Sequence, residues 1–154
     1  MAVLNAYNYQ KPQNAKVNPM RKPQVGVRVQ KNQFENQQEQ YLETKVMTAK
    51  PEELTYMLYE GLVKFLKKAK YHIEAKNPSK AHESILRSQA IISELRATLN
   101  MDIEISKNLE DLYLFMLDEL FKANVEKSTE KLDTVIDLAE DFRSTWKEAM
   151  PNMR

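Results

Sequence analysis

The chain has 154 residues, enough for one domain with a real core, and its 42% apolar and 29% charged residues suit a soluble globular protein. Gly26 and Gly61 are its only glycines, too few for the frequent tight turns of an all-β fold or for a glycine-rich phosphate loop. It has no cysteine, which excludes disulfides and thiolate metal sites and points to a reducing compartment.

The chain opens without a basic n-region or a long apolar h-region, so no secretory signal is expected. No apolar run reaches about 18 residues, so no membrane span is expected either. The expected location is the cytoplasm. Residues 1–34 carry six cations (Lys11, Lys16, Arg21, Lys22, Arg28, Lys31) and no acidic group. The other 120 residues hold 17 basic and 22 acidic groups, a net charge of −5 beside the tail's +6. Pro12, Pro19, Pro23 and many amides give residues 1–34 no helical apolar period, so they are expected to be a flexible arm. The cations stand apart rather than clustered. A solvated tail is the plain reading, and non-specific nucleic-acid contact, with Tyr7 and Tyr9 stacking, is the alternative.

From residue 35 the pattern becomes helical, and residues 35–150 are expected to form the folded domain. Residues 35–47 fit a short helix or an extended lead-in. Thr48 is a plausible N-cap before Pro51, Glu52 and Glu53. The spacing of Leu54, Met57, Leu58, Gly61, Leu62, Phe65, Leu66, Ala69 and Ile73 predicts a long helix to about residue 75. Asn77-Pro78-Ser79 breaks the chain, with Ser79 able to cap the next helix, which runs to about Leu99 on Ala81, Ile85, Ile92 and Leu95. A third long helix covers about 104–125, with Ile105, Leu109, Leu112, Met116, Leu120 and Ala123 inward. Ser128 or Thr129 caps the last, which carries Leu132, Val135, Ile136, Ala139, Phe142 and Trp146 and stops at Pro151. Four such helices on short turns predict an all-α fold, an antiparallel four-helix bundle with the 35–47 segment lying across it.

Catalytic patterns are nearly absent. His72 and His82 flank the Pro78 turn without shared ligand spacing, and neither Glu-x-x-His nor His-Glu-x-x-His occurs. The carboxylate pairs read as solvated helix faces. No cofactor, metal or enzymatic activity is expected.

Apolar residues are in surplus instead. Tyr56, Tyr59 and Val63, at i, i+3 and i+7, suggest a second stripe beside the core stripe of the first long helix. The 104–125 helix adds Tyr113, Leu114, Phe115, Leu117 and Phe121. A helix apolar nearly all round is either central in its fold or offers a groove to a partner. Gly61 in mid-helix costs about 1 kcal/mol relative to alanine and suggests close approach of another backbone, from a core helix or a bound one. Eight methionines, Met57 and Met116 among them, suit an adaptable groove or a plain core.

Five blocks in order resemble the flagellar export chaperone family, FliS. They are Met47-Thr-Ala-Lys-Pro-Glu-Glu-Leu54; Met57-Leu-Tyr-Glu-Gly61; Ala90-Ile-Ile-Ser-Glu-Leu95 with Thr98-Leu-Asn100; Leu112-Tyr-Leu-Phe-Met116 with Ala123-Asn124; and Trp146-Lys-Glu-Ala149. The resemblance spans about residues 41–150. Asp118-Glu119 departs from it, standing where the family often has Arg-Arg, and the arm is longer than usual. The resemblance implies a four-helix bundle in the cytoplasm. It implies binding of flagellin's disordered C-terminal segment as helices in apolar grooves, and delivery to the export gate. It also implies that an N-terminal segment caps part of that surface. The residues expected to carry binding are Tyr56, Tyr59 and Val63, with Gly61 permitting close approach and Tyr41, Leu42 and Val46 as cap or contact. Tyr7 and Tyr9 sit in a start that resembles the family's Asn-x-Tyr opening.

Overall fold

The structure, a computed structural model, describes residues 33–152. The expectations for the basic arm, and for Tyr7 and Tyr9, fall on residues 1–32, outside the described residues. Among the described residues there are five α-helices and no strand: α1 Gln33–Thr48, α2 Pro51–Glu74, α3 Pro78–Ala97, α4 Glu104–Glu126 and α5 Thr129–Ala149, followed by a 3-10 turn Met150–Asn152. They fall into two compact units, one containing α1 and the other the helices from Glu52 onward.

The segment left open between helix and extended chain is therefore a full helix, α1, and it takes in Gln33 and Phe34, which the sequence assigned to the arm. Thr48 closes this helix rather than capping the next. Its hydroxyl donates back to Thr44 O at 2.8 Å, a use open to a threonine that has already joined the preceding turn.

In the larger unit the helix ends are built from local chemistry. Lys76 takes the left-handed conformation (φ 55°), so that Lys76 N–H reaches Ile73 O and Asn77 N–H reaches His72 O. This double bond pattern satisfies carbonyls that the end of α2 would otherwise leave open. Asn77, not Ser79, caps α3: its Oδ1 accepts from Lys80 N at 3.2 Å, with Pro78 in the first turn, where no N–H is needed. Ser128 caps α5 as expected, accepting from Lys131 N.

Four helices, α2 to α5, contribute to one buried cluster. Leu62 and Leu66 of α2 meet Ile85, Ile92 and Leu95 of α3, Met116 and Leu120 of α4, and Leu132 and Val135 of α5. Ala69, Ala81, Ala123 and Ala139 are fully buried beside them. Covering one large apolar side chain in this way contributes about 1.5–3 kcal/mol. Leu112, assigned to the core by spacing, instead stands 38% exposed, because the buried line of α4 runs through Leu109, Tyr113, Met116 and Leu120. Its neighbour Tyr113 takes the interior place because its hydroxyl finds a partner there.

Polar contacts fix the helix directions. Arg96 with Glu110, and His82 with Asn124, link opposite ends of α3 and α4, so those two run in opposite senses. Lys67–Glu140 and Lys70–Asp133, both 2.8 Å, link α2 to α5. Trp146 Nε1 donates to Glu52 O at 2.9 Å, tying the end of α5 to the start of α2. No helix among the described residues is long and apolar enough to cross a membrane.

Candidate client-binding surface

Tyr56, Tyr59 and Val63, expected to carry binding, do not form an exposed stripe on α2. Tyr59 is 1% exposed and Val63 is 2% exposed. The Tyr59 ring stacks on Phe142 (centroids 5.6 Å apart, planes within 4°) and lies beside Trp146. Its hydroxyl sits 2.7 Å from that of Tyr113, whose ring also packs on Phe142. Burying a phenol is tolerable only where its O–H has a partner, and this partner comes from a helix 54 residues away. Local periodicity cannot contain that information. Tyr56 is partly buried against the same cluster.

Gly61 stays partly open to solvent. A Cβ placed on it would meet Ile91 Cδ1 at 3.5 Å, an ordinary van der Waals contact. Packing among the described helices therefore does not demand a glycine there.

On α1, Tyr41, Leu42 and Val46 are exposed, as are Phe34 and Met47, and none of the helix's residues is buried. Phe34 and Tyr41, seven residues apart, share a line along it, with Leu42 and Val46 on the adjacent line.

Among the described residues of the other unit, a group of exposed apolar side chains was only partly named from sequence. Leu114, Phe121 and Val125 of α4, at i, i+7 and i+11, share one face, with Phe121 64% and Val125 71% exposed. Leu86 of α3 is also exposed. The two polar clasps between α3 and α4, at Glu110 and Asn124 on α4, bracket Leu114, Phe121 and Leu86 along the helices, and Val125 lies just beyond the second. At one end Arg96 Nε donates to both carboxylate oxygens of Glu110 at 3.1 Å, and its Nη2 makes a further bond. At the other end Asn124 Nδ2 lies 2.8 Å from His82 Nδ1. Because the helices run oppositely, Leu86 falls at the level of the Leu117–Phe121 stretch, so the α3–α4 seam carries exposed apolar side chains between its two polar contacts. The bonds from Arg96 hold the Glu110 carboxyl below the ordinary carboxylate range, against the opposing effect of burial. Spacing could have revealed the α4 half of this seam. Leu86, a lone leucine among Glu83, Arg87 and Gln89, carries no such signal.

Of the two histidines, His82 lies against Asn124, its Nδ1 2.8 Å from Asn124 Nδ2, and His72 lies edge-on to Tyr71. Among the described residues no group of three or more His, Asp or Glu side chains gathers where it could hold a metal.

Apolar seams on an all-helical scaffold suit a protein that binds other chains, and comparison with known proteins gives the family. The family model described as "Flagellar protein FliS" matches residues 34–153. The chain belongs to the FliS family. The flagellar secretion chaperone FliS of Bacillus subtilis (strain 168) is 39% identical over 114 residues, covering 74% of this chain and 86% of that protein. The flagellar secretion chaperone FliS of Vibrio cholerae serotype O1 is 29% identical over 112 residues, covering 71% and 82%. A solved bacterial flagellar chaperone superposes with a TM-score of 0.62 at 20% identity, covering 77% of this chain and 98% of that one, so the FliS member described here shares its fold. The nucleic-acid reading rested on cations outside the described residues, and nothing in these comparisons supports it.

Proposed function

We propose that this FliS-family chain is a cytoplasmic export chaperone, a binding protein rather than an enzyme. It holds the disordered C-terminal segment of flagellin as helices in apolar grooves, keeps it from polymerising early, and delivers it to the flagellar export gate. Helices α2 to α5 act in this reading as an antiparallel four-helix bundle. The observation that carries it is the open α3–α4 seam of Leu86, Leu114 and Phe121 on a chain of this family. A disordered client must recover its ordering entropy from a large apolar contact, and an amphipathic helix laid in a groove supplies one.

Tyr41, Leu42 and Val46 on α1 offer further apolar contact, as cap or as client surface. On α2, Tyr56 and Gly61 provide reachable surface, while Tyr59 and Val63 back it from inside. Covering Phe121 with a client side chain is worth about 2 kcal/mol, roughly thirtyfold in affinity.

Titration calorimetry with the flagellin C-terminal segment of the same organism tests this reading. Micromolar or tighter binding with a negative heat-capacity change is expected, weakened by at least tenfold in Phe121→Asp. Absence of binding at micromolar concentrations rejects the reading.

A further inference from the structure

A second seam, between α2 and α3, has a different chemistry. Phe65 of α2 is partly exposed, and three cations surround its ring. Lys64 Nζ lies 5.7 Å, Lys68 Nζ 5.6 Å and the Arg87 guanidinium carbon 5.4 Å from the ring centroid. All three cationic residues are exposed. Among the described residues, one carboxylate comes within ion-pairing range of this trio: Glu83, 3.5 Å from Arg87, with both side chains more than half in solvent. An exposed pair at that distance neutralises little. The neighbouring lysines differ, since Lys67 and Lys70 are each held at 2.8 Å by an α5 carboxylate. Beside the trio lies the opening at Gly61, with Ile91 on its far side.

The ring quadrupole attracts each cation, but the three positive charges also repel one another, and among the described residues the one carboxylate paired with them is the exposed Glu83. The site thus has an apolar floor of Phe65 and Ile91, a notch where a backbone can approach, and a cationic rim. A bare anion needs no floor or notch, and a purely apolar helix would have to strip water from the rim without compensation. An amphipathic helix carrying carboxylates beside its apolar face answers all three features.

We propose that Lys64, Lys68 and Arg87 form an anion-reading clasp on the α2–α3 seam, which selects an acidic amphipathic helix of the client polypeptide and seats it against Phe65 and Gly61. The proposal rests on the client reading above and adds to it which part of the client binds here and by what charge. Exposed charges of this kind set specificity, salt dependence and association rate more than raw contact area does.

The test uses the full chain and the labelled flagellin C-terminal segment of the same organism, with anisotropy followed across salt. The triple variant Lys64→Glu, Lys68→Glu, Arg87→Glu is compared with the parent, after circular dichroism shows equal helicity and melting. At low salt the reversal should weaken binding at least tenfold and flatten the salt dependence. A segment with its own carboxylates changed to lysine should bind the reversed variant better than the parent. Equal affinity and equal salt slope for parent and triple variant would overturn the clasp while leaving the client reading intact. Failure of the parent itself to bind would overturn both. Tight binding of a single-stranded oligonucleotide that these three residues control would assign the patch to nucleic acid and overturn the proposal.

Discussion

Gly61→Ala separates stability from binding. Gly61 lies well inside the 24-residue helix α2, where glycine costs roughly 0.5–1 kcal/mol against alanine through backbone entropy. The added methyl meets Ile91 Cδ1 at 3.5 Å, so it brings contact without forcing a neighbour to move. The variant should therefore be more stable by about 0.5–1 kcal/mol, worth roughly 1–4 °C in melting temperature for a chain of this size. Urea unfolding followed by far-UV circular dichroism gives the free energy, and an unchanged m-value checks that the unfolded state has not shifted. The same methyl fills the notch that a client backbone would enter. Overpacking there should cost about 1–3 kcal/mol of binding, or roughly five- to 150-fold in affinity. A destabilised variant would refute the first half of the reasoning and show that the chain's own packing needs the glycine. A stabilised variant with parental affinity would refute the second half and remove Gly61 from the binding surface.

Three further outcomes follow from the contacts described. Tyr59→Phe and Tyr113→Phe should each lose about 1 kcal/mol, and a double-mutant cycle by urea unfolding should show coupling, because they share the 2.7 Å bond; additive losses would mean that the bond carries nothing. Trp146→Ala should cost about 3–5 kcal/mol, while Trp146→Phe, which keeps most of the ring but drops the bond to Glu52 O, should cost less; a Phe variant as unstable as Ala would locate the effect in the hydrogen bond alone. The Glu110 carboxyl is held below its ordinary value of 4.5, so its share of stability is full above that value and is lost as pH falls through the lower folded-state value. Melting temperature should therefore decline on acidification below about pH 5, and Glu110→Gln should reduce that decline.

Much of the helical layout was legible because it is local. The apolar spacing of α2 to α5 and the Pro78 and Pro151 stops placed the helices within a few residues of where they lie. Two cap assignments failed locally, since Thr48 and Ser79 each stand beside an equally good alternative: a preceding turn for one, Asn77 for the other. The surface was far less legible. Tyr59 looked like surplus on α2 because its stacking partner Phe142 and its hydroxyl partner Tyr113 lie on other helices. Leu86 gives no signal in the sequence because it becomes part of a patch only when α4 is laid against α3. The clasp of Lys64, Lys68 and Arg87 likewise joins two helices, and a run of lysines on one of them reads as a solvated face. α1 was hard to define because none of its residues is buried, and an element without a buried face leaves no period to read.

In the proposed complex a client helix occupies the α3–α4 seam. This occupancy is tested most directly by methyl NMR of the protein with assigned Leu86, Leu114, Leu117 and Val125 signals, titrated with the flagellin C-terminal segment. These methyls should shift together as the complex forms, while the buried Leu62 and Leu132 methyls should move little. A complex that forms with the seam methyls unchanged would contradict it.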